Sequence, residues 1–326
     1  MFPSITELKG RSLLTLEEFS TQEIQALIDL AETVKAEKKE RRFQERLKHR
    51  NIALIFLKPS CRTRASFVVA AADEGAILQI FPAEDIRFGV KESTKDIARV
   101  IGRIFDGIAL RADQAHIEEF ARYSGVPVWN ALSEDYHPTQ ILADLMTIQE
   151  SVGQLPGANV AFVGDGRSNM VTSLAIAAQK MGLNLRVVSP KSRWPLQNKL
   201  KNFMFPPVCG SVLVTDSIDR GLEGADVVYG DIWVSMGQEQ NTAALVQELG
   251  PYRITTATMQ STRNPNAIFL HCLPALHDDQ TKFALQYPEV CDVSDEVFEG
   301  SQSRVFDQSE NRMHTIKALM IATLGA

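Results

Sequence analysis

Short runs of apolar, β-branched residues alternate along the chain with longer stretches whose apolar positions recur at helical spacing. The short runs read as strands at Asn51–Leu57, Ala76–Phe81, Gly107–Leu110, Asn159–Val163, Leu183–Val188, Ser211–Val214, Ala225–Tyr229 and Ala267–His271. They are almost continuously apolar, which predicts sheets covered on both faces, as parallel sheets are. The longer stretches predict helices over Thr15–Arg42, Ser66–Glu74, Ser93–Phe105, Ala115–Ser124, Thr139–Glu150, Asn169–Met181 and Asn311–Leu324. Alternation of this kind predicts an α/β protein of two domains, each with a central parallel sheet flanked by helices. Glycine and proline cluster in Ser151–Ala158 (SVGQLPGA), and a fresh strand–helix series begins at Asn159. A boundary is expected there, giving domains at 1–150 and 151–307.

Length and composition agree with that picture and narrow the function. The chain has 326 residues, 44 % hydrophobic and 23 % charged, enough for two packed cores. Acidic residues number 40 against 34 basic ones, a net charge of −6. Such a chain is a poor general polyanion binder, so nucleic acid is not expected as a partner. An anionic ligand would need a local basic site. No apolar run is long enough to span a membrane, so no membrane partner is expected. The start, MFPSITELKGRS, has none of the zones of a signal peptide. The four cysteines, Cys61, Cys209, Cys272 and Cys291, stand far apart without a CxxC pair. Disulfides and a cysteine-rich metal site are therefore not expected, and a reducing cytoplasm is the simplest setting.

Candidate chemistry lies mostly where strands end. In Phe56–Arg64 (FLKPSCRTR), Pro59 forces an extended turn and Ser60 is a good N-cap for a helix whose first turn carries Cys61, Arg62, Thr63 and Arg64. Free N–H groups, a positive dipole end, hydroxyls and guanidiniums would converge there, as a phosphate monoester requires. A capped helix with surface arginines is the plainer reading. In His137-Pro138-Thr139-Gln140, Pro138 suits the first helical position. His137 would then sit at the positive helix end, which disfavours imidazolium and leaves a neutral ring able to donate to a carbonyl. Gln140 could offer an amide from the same turn. Asp231 and Ser235, in DIWVSMG after the strand ADVVYG, stand where open α/β sheets bind ligands and could accept from an ammonium. A plain turn role suits Asp231 as well.

Two further segments read less clearly. His271 and Cys272, in HCLP, are adjacent at a strand end and so point opposite ways, which argues against a base–nucleophile pair. A metal site at His271, His277 and Asp278 meets none of the usual spacings. The turn GDGRSN at 164–169 lacks the third glycine of a dinucleotide fingerprint, and Asp165 would repel a pyrophosphate. Asn169, opening the next helix, could receive a carboxylate instead.

Together these motifs resemble the aspartate/ornithine carbamoyltransferase family, on its ornithine-using side. The resemblance runs nearly end to end: SCRTR at 60–64, KES at 91–93, Arg111, HPTQ at 137–140, DIWVSMG at 231–237, HCLP at 271–274 and ENRMHTIKA at 310–318. It implies two parallel-sheet domains joined by the helix after HPTQ and by a C-terminal helix, 308–326, that packs back on the first domain. It implies a homotrimer with sites between subunits. The implied reaction moves the carbamoyl group of carbamoyl phosphate to the δ-amine of L-ornithine, giving citrulline and phosphate, with no cofactor and no metal. The alternative is a relative acting on another amine, such as putrescine or a modified ornithine.

By position, the resemblance implies that Ser60, Cys61, Arg62 and Thr63 hold the phosphate. Thr63, Arg111 and His137 would hold the carbonyl oxygen. Gln140, the Cys272 and Leu273 carbonyls and Arg312 would address the carbamoyl group. Asn169, Asp231, Ser235 and Met236 would bind ornithine, with Asp231 and the Cys272 thiol nearest to acting as bases. Three departures stand out. Cys61 replaces the family's usual threonine, and Arg87 replaces a glutamine that commonly reaches a neighbouring subunit. After Arg111 the chain reads ADQ rather than a glycine-containing turn. FLKPS and FPAEDIRFG resemble the phosphonate-toxin-insensitive branch.

Overall fold

The computed structural model describes residues 6–86, 88–196, 210–234 and 239–325. It divides into two units, residues 1–146 with 310–326 and residues 147–309. Both crossings fall inside helices: α5, Pro138–Val152, and the C-terminal helix, Val305–Leu324. The C-terminal helix therefore starts earlier than the sequence pattern indicates, because Val305 is already buried against its own unit's core. Among the described residues, no helix is long and apolar enough to cross a membrane.

The first unit is built on a four-stranded parallel sheet in the order β2–β1–β3–β4. The strands are β1 Asn51–Phe56, β2 Ile77–Phe81, β3 Gly107–Arg111 and β4 Val128–Leu132. Helices α1 Thr21–Lys39, α2 Arg62–Asp73, α3 Thr94–Ile104 and α4 Gln114–Tyr123 complete it. The predicted first helix loses six residues at its start, since Ser20 caps it in a reciprocal box with Glu23. Strand β4 is absent from the sequence reading. Its VWNAL carries Asn130, which is fully buried: its amide nitrogen donates to the Leu14 carbonyl at 2.9 Å and to Gln114 Oε1 at 3.3 Å, while its Oδ1 has no partner among the described residues. Trp129 lies against Gly107, where any Cβ would come within 2.5 Å of the indole, and its Nε1 donates to Thr323 at 3.0 Å. That contact fixes the C-terminal helix against the sheet.

The second unit holds a five-stranded parallel sheet in the order β7–β6–β5–β8–β9. Its strands are β5 Asn159–Val163, β6 Asn184–Val188, β7 Ser211–Thr215, β8 Val227–Gly230 and β9 Ile268–His271, and α6 spans Asn169–Met181. In each sheet the winding reverses once, between β1 and β3 in the first unit and between β5 and β8 in the second. Crevices at the carboxyl ends of such strand pairs are where open α/β sheets take ligands. The chain leaves β1 into the SCRTR turn and ends β3 at Arg111. It leaves β5 into GDGRSN and β8 into Asp231.

Candidate active site

In the first unit, α2 begins at Arg62 with Cys61 in the capping position, and the Cys61 side chain makes no cap hydrogen bond. This corrects the expectation that Ser60 caps the helix. Cys61 itself has helical backbone angles, and with no cap hydrogen bond from its side chain the first amides of α2 lack a side-chain acceptor. Cys61 is exposed, Ser60, Arg62 and Arg64 are half-buried, and Thr63 is only 4 % exposed. The Thr63 hydroxyl has no hydrogen-bond partner among the described residues.

Arg111, at the end of β3, pairs with Phe56 of β1 across the sheet, which brings it to the strand end that feeds α2. Burial lowers the pKa of its guanidinium, and the charge of Arg62 adds to that. Its Nε is buried with no acceptor among the described residues.

His137 precedes α5, with Pro138 at the first helical position as predicted. It is 4 % exposed, and its Nδ1 lies 3.4 Å from Thr139 Oγ1. Burial is the main cause holding its pKa well below the ordinary histidine value, followed by Arg312, Arg111 and Arg62. The ring is therefore neutral at physiological pH, as the sequence implied. The causes are desolvation and three guanidiniums from distant segments. Gln140 bridges Arg312 and Asp144: it accepts from Arg312 Nη1 at 2.6 Å and donates to Asp144 Oδ1 at 2.8 Å. Its carbonyl thus orients Arg312.

In the second unit, the turn after β5 is held by Asp165, which accepts from Arg193 Nε at 3.1 Å and from the Arg167 amide at 2.9 Å. Ser168 caps α6, accepting from the Met170 amide at 3.1 Å, and its hydroxyl donates to Asp231 Oδ2. Asn169 is the first residue of α6. Asp231 Oδ1 accepts from Cys272 Sγ at 3.1 Å and from the Ile232 amide at 2.9 Å. Burial raises the Asp231 pKa, against the opposing pull of His271 and of those hydrogen bonds. Gly230 makes this close packing possible, because a Cβ there would meet the His271 ring at 3.0 Å.

His271 and Cys272 do face different partners. The Leu273 amide donates to His271 Nδ1 at 2.9 Å, and His271 Nε2 lies 2.9 Å from Asp292 Oδ2. Asp292 Oδ1 accepts from the Leu276 amide at 3.0 Å, and the His271 amide donates to Gln308 Oε1 at 2.9 Å. The loop is thus tied at three points while Leu273 holds a left-handed φ of 59°. That conformation is uncommon for leucine and persists only where its surroundings over-determine it. His277 meets Asp295, at 2.7 Å, rather than His271.

Of the residues singled out from sequence, the first unit gathers Arg62, Arg111, His137 and Arg312, and the second gathers Asp231 and Cys272. Arg87, Ser235 and Met236 lie outside the described residues. Sequence reasoning missed Ser168, Asp292 and Gln308. A serine just before a helical run is a capping signal that points to Ser168. Nothing local marks the other two.

Fold and sites together define a two-unit α/β protein with a cationic cradle at the switch point of one sheet and a carboxylate–thiol pair at that of the other. Residues 11–150 match the carbamoyl-P binding domain of aspartate/ornithine carbamoyltransferase, and residues 156–323 match its Asp/Orn binding domain. The chain belongs to the aspartate/ornithine carbamoyltransferase family. It is 52 % identical to ornithine carbamoyltransferase 2, phaseolotoxin-insensitive, of Pseudomonas syringae pv. actinidiae, covering 98 % of this chain and 99 % of that one. It is 46 % identical to the catabolic ornithine carbamoyltransferase of Streptococcus agalactiae, over 97 % of this chain and 96 % of that one. The solved ornithine carbamoyltransferase of Pyrococcus furiosus superposes with a TM-score of 0.90 at 34 % identity, covering 98 % of both chains.

Proposed function

We infer that the chain transfers the carbamoyl group of carbamoyl phosphate to the δ-amine of L-ornithine, releasing L-citrulline and phosphate. One observation carries the reading: a buried, neutral His137 on which the acting charges are the guanidiniums of Arg62, Arg111 and Arg312. Desolvated like charges are costly to hold together, and an anion is what relieves them. In this reading the unit containing residues 1–150 with 308–326 binds carbamoyl phosphate. Ser60, Cys61, Arg62 and Thr63 hold its phosphate through the first turn of α2. Arg111, Thr63 and His137 face its carbonyl oxygen. Gln140, Arg312 and the Cys272 and Leu273 carbonyls orient its amide. Residues 151–307 bind ornithine, with Asn169, Asp231, Ser235 and Met236 on its α-amino-acid part.

The chemistry needs little beyond placement and charge. The neutral δ-amine attacks the carbamoyl carbon and a C–N bond forms. The carbonyl electrons move onto oxygen, and the C–O bond to phosphate then breaks with its electron pair leaving on phosphate. The nitrogen's extra proton passes to solvent, with Asp231 and Cys272 in reach of the same amine. Arg111, His137 and Thr63 oppose the charge on the carbonyl oxygen, while Arg62 opposes the charge growing on phosphate.

Copies of the chain assemble as a homotrimer in this proposal. The first unit leaves Ile77 65 % and Ile80 36 % exposed on its edge strand β2, and Val68 and Val69 exposed on α2, apolar surface of the kind that assemblies cover. Light scattering on the eluted protein should give three times the chain mass; a monomer mass would remove that part. A cytoplasmic setting, a role in arginine biosynthesis, and insensitivity to phosphate-mimicking toxins through Arg87 complete the proposal.

Citrulline formation from ornithine and carbamoyl phosphate tests the reaction, with aspartate and putrescine as control amines. Activity should rise with pH above neutrality, because the free δ-amine has a reference pKa near ~10 and must be deprotonated to attack. His137, neutral throughout that range, adds no opposing limb. A rate unchanged from mildly acidic to alkaline pH would overturn this account of the attacking group.

A further inference from the structure

The thiol of Cys61 has no task in the reaction above. It is exposed, it opens α2 without capping it, and Arg62 and Arg64 follow it directly. Arg62 in turn lies close enough to Arg111 for its charge to act on that guanidinium. A second feature independently marks this turn as a place for an anion. Thr63, only 4 % exposed as a residue, has a hydroxyl with no partner among the described residues, and Arg111 Nε is buried without an acceptor there.

The other described cysteines are placed differently. Cys272 already donates its thiol proton to Asp231, and Cys291 is buried, which pushes its thiol pKa up. An accessible sulfur in a cationic pocket is where thiol chemistry concentrates, and negatively charged reagents are drawn to such a pocket by its field.

We propose that Cys61 is a reversible modification site for small anionic disulfides, and that the adduct shuts the phosphate cradle. The proposal rests on the carbamoyl phosphate reading of that cradle and names its regulation. The Cys61 thiol first gives its proton to water, and the thiolate attacks one sulfur of the incoming disulfide. A new S–S bond forms on Cys61 as the reagent's own S–S bond breaks, and the electron pair leaves on the second sulfur as a thiolate. Cys61 is oxidised and half of the reagent is reduced, so no further oxidant is needed. An added thiol reverses the step by the same exchange. The bound half places bulk and negative charge where the transferred phosphate would sit.

The test uses the full chain and the dianionic reagent 5,5′-dithiobis(2-nitrobenzoate), whose released thiolate is coloured. One equivalent should react first, and peptide mass mapping should place it on Cys61. Saturating inorganic phosphate should slow that phase by about tenfold or more, the low end of what local fields do to such encounters. Citrulline formation should fall with the same rate constant and return on adding dithiothreitol. Neutral methyl methanethiosulfonate should show a much weaker phosphate effect.

Cys61→Ser and Cys61→Thr, each compared with its own starting turnover, should lose the fast phase and keep that turnover through the treatment. Melting curves report that both remain folded. The proposal fails if the first equivalent maps to Cys209, Cys272 or Cys291, if phosphate leaves its rate unchanged, or if the variants are inactivated as fast as the parent. These outcomes are separate from the reaction itself, which citrulline formation by the untreated chain decides.

Discussion

Arg62→Ala is expected to keep the fold and lose most of the turnover. Arg62 is half-buried at the first turn of α2 and sits within electrostatic reach of both Arg111 and His137. Those interactions lower the pKa of both neighbours. Removing the guanidinium relieves them, so thermal stability should hold or rise slightly. In the proposed reaction the same charge would face phosphate as its bond to the carbamoyl carbon breaks. Losing one preorganised donor to developing charge costs on the order of 10²–10³ in kcat, and the KM for carbamoyl phosphate should rise as well. Melting curves read the ground-state half of this prediction independently of catalysis. A ligand that binds only the folded chain raises its stability by linkage, so inorganic phosphate should lift the parent's Tm and lift that of the variant much less. Near-parental kinetics with an undiminished phosphate effect would mean the anion is held elsewhere.

The reason such a site can be read in a sequence at all is topological. The candidate residues fall at or shortly after strand ends: SCRTR comes soon after β1, Asp231 follows β8, His271 ends β9 and Cys272 follows it. Local apolar runs locate the strands, and the residues after them fall at the sheet's carboxyl edge by construction. What could not be read depends on contacts remote in sequence. The neutral state of His137 is set by Arg62, Arg111 and Arg312, the last of them 175 positions downstream. The Asp292 brace on His271 spans 21 residues and carries no local signature. Strand β4 was hidden for a related reason. Asn130 looks like an interruption in an apolar run, and its amide nitrogen finds acceptors on Leu14 and Gln114, both remote in sequence. The Ser60 cap failed on a one-residue shift, the scale at which helix starts are ordinarily misjudged.

The same remoteness underlies the second large effect, on stability. Asp73, the last residue of α2, accepts from Lys317 of the C-terminal helix at 2.6 Å and from Lys38 of α1 at 2.6 Å. The Lys317 side chain is 2 % exposed and that of Asp73 is 11 % exposed. Burial alone would raise the Asp73 pKa, but the hydrogen bonds and charges of Lys317 and Lys38 outweigh it and hold the carboxyl below its ordinary value.

Asp73→Ala should therefore strand a buried ammonium, and breaking such a pair costs about 3–5 kcal/mol. Glu74, which also feels the charge of Lys317, places the expected loss toward the lower end. Urea unfolding followed by circular dichroism should show a reduced midpoint. Adding Lys317→Met to the same chain should restore most of it, because an apolar side chain of similar length needs no counter-charge.

The pH dependence has a definite sign. A carboxylate whose folded pKa lies below its unfolded value, near ~3.9, contributes its full stabilisation above that value. The contribution is lost as pH falls through the folded pKa. Parent and Asp73→Ala should thus differ most at neutral pH and converge in acid. Equal midpoints at neutral pH, or a gap that widens on acidification, would show that the C-terminal helix is held to α1 and α2 by something other than this shared carboxylate.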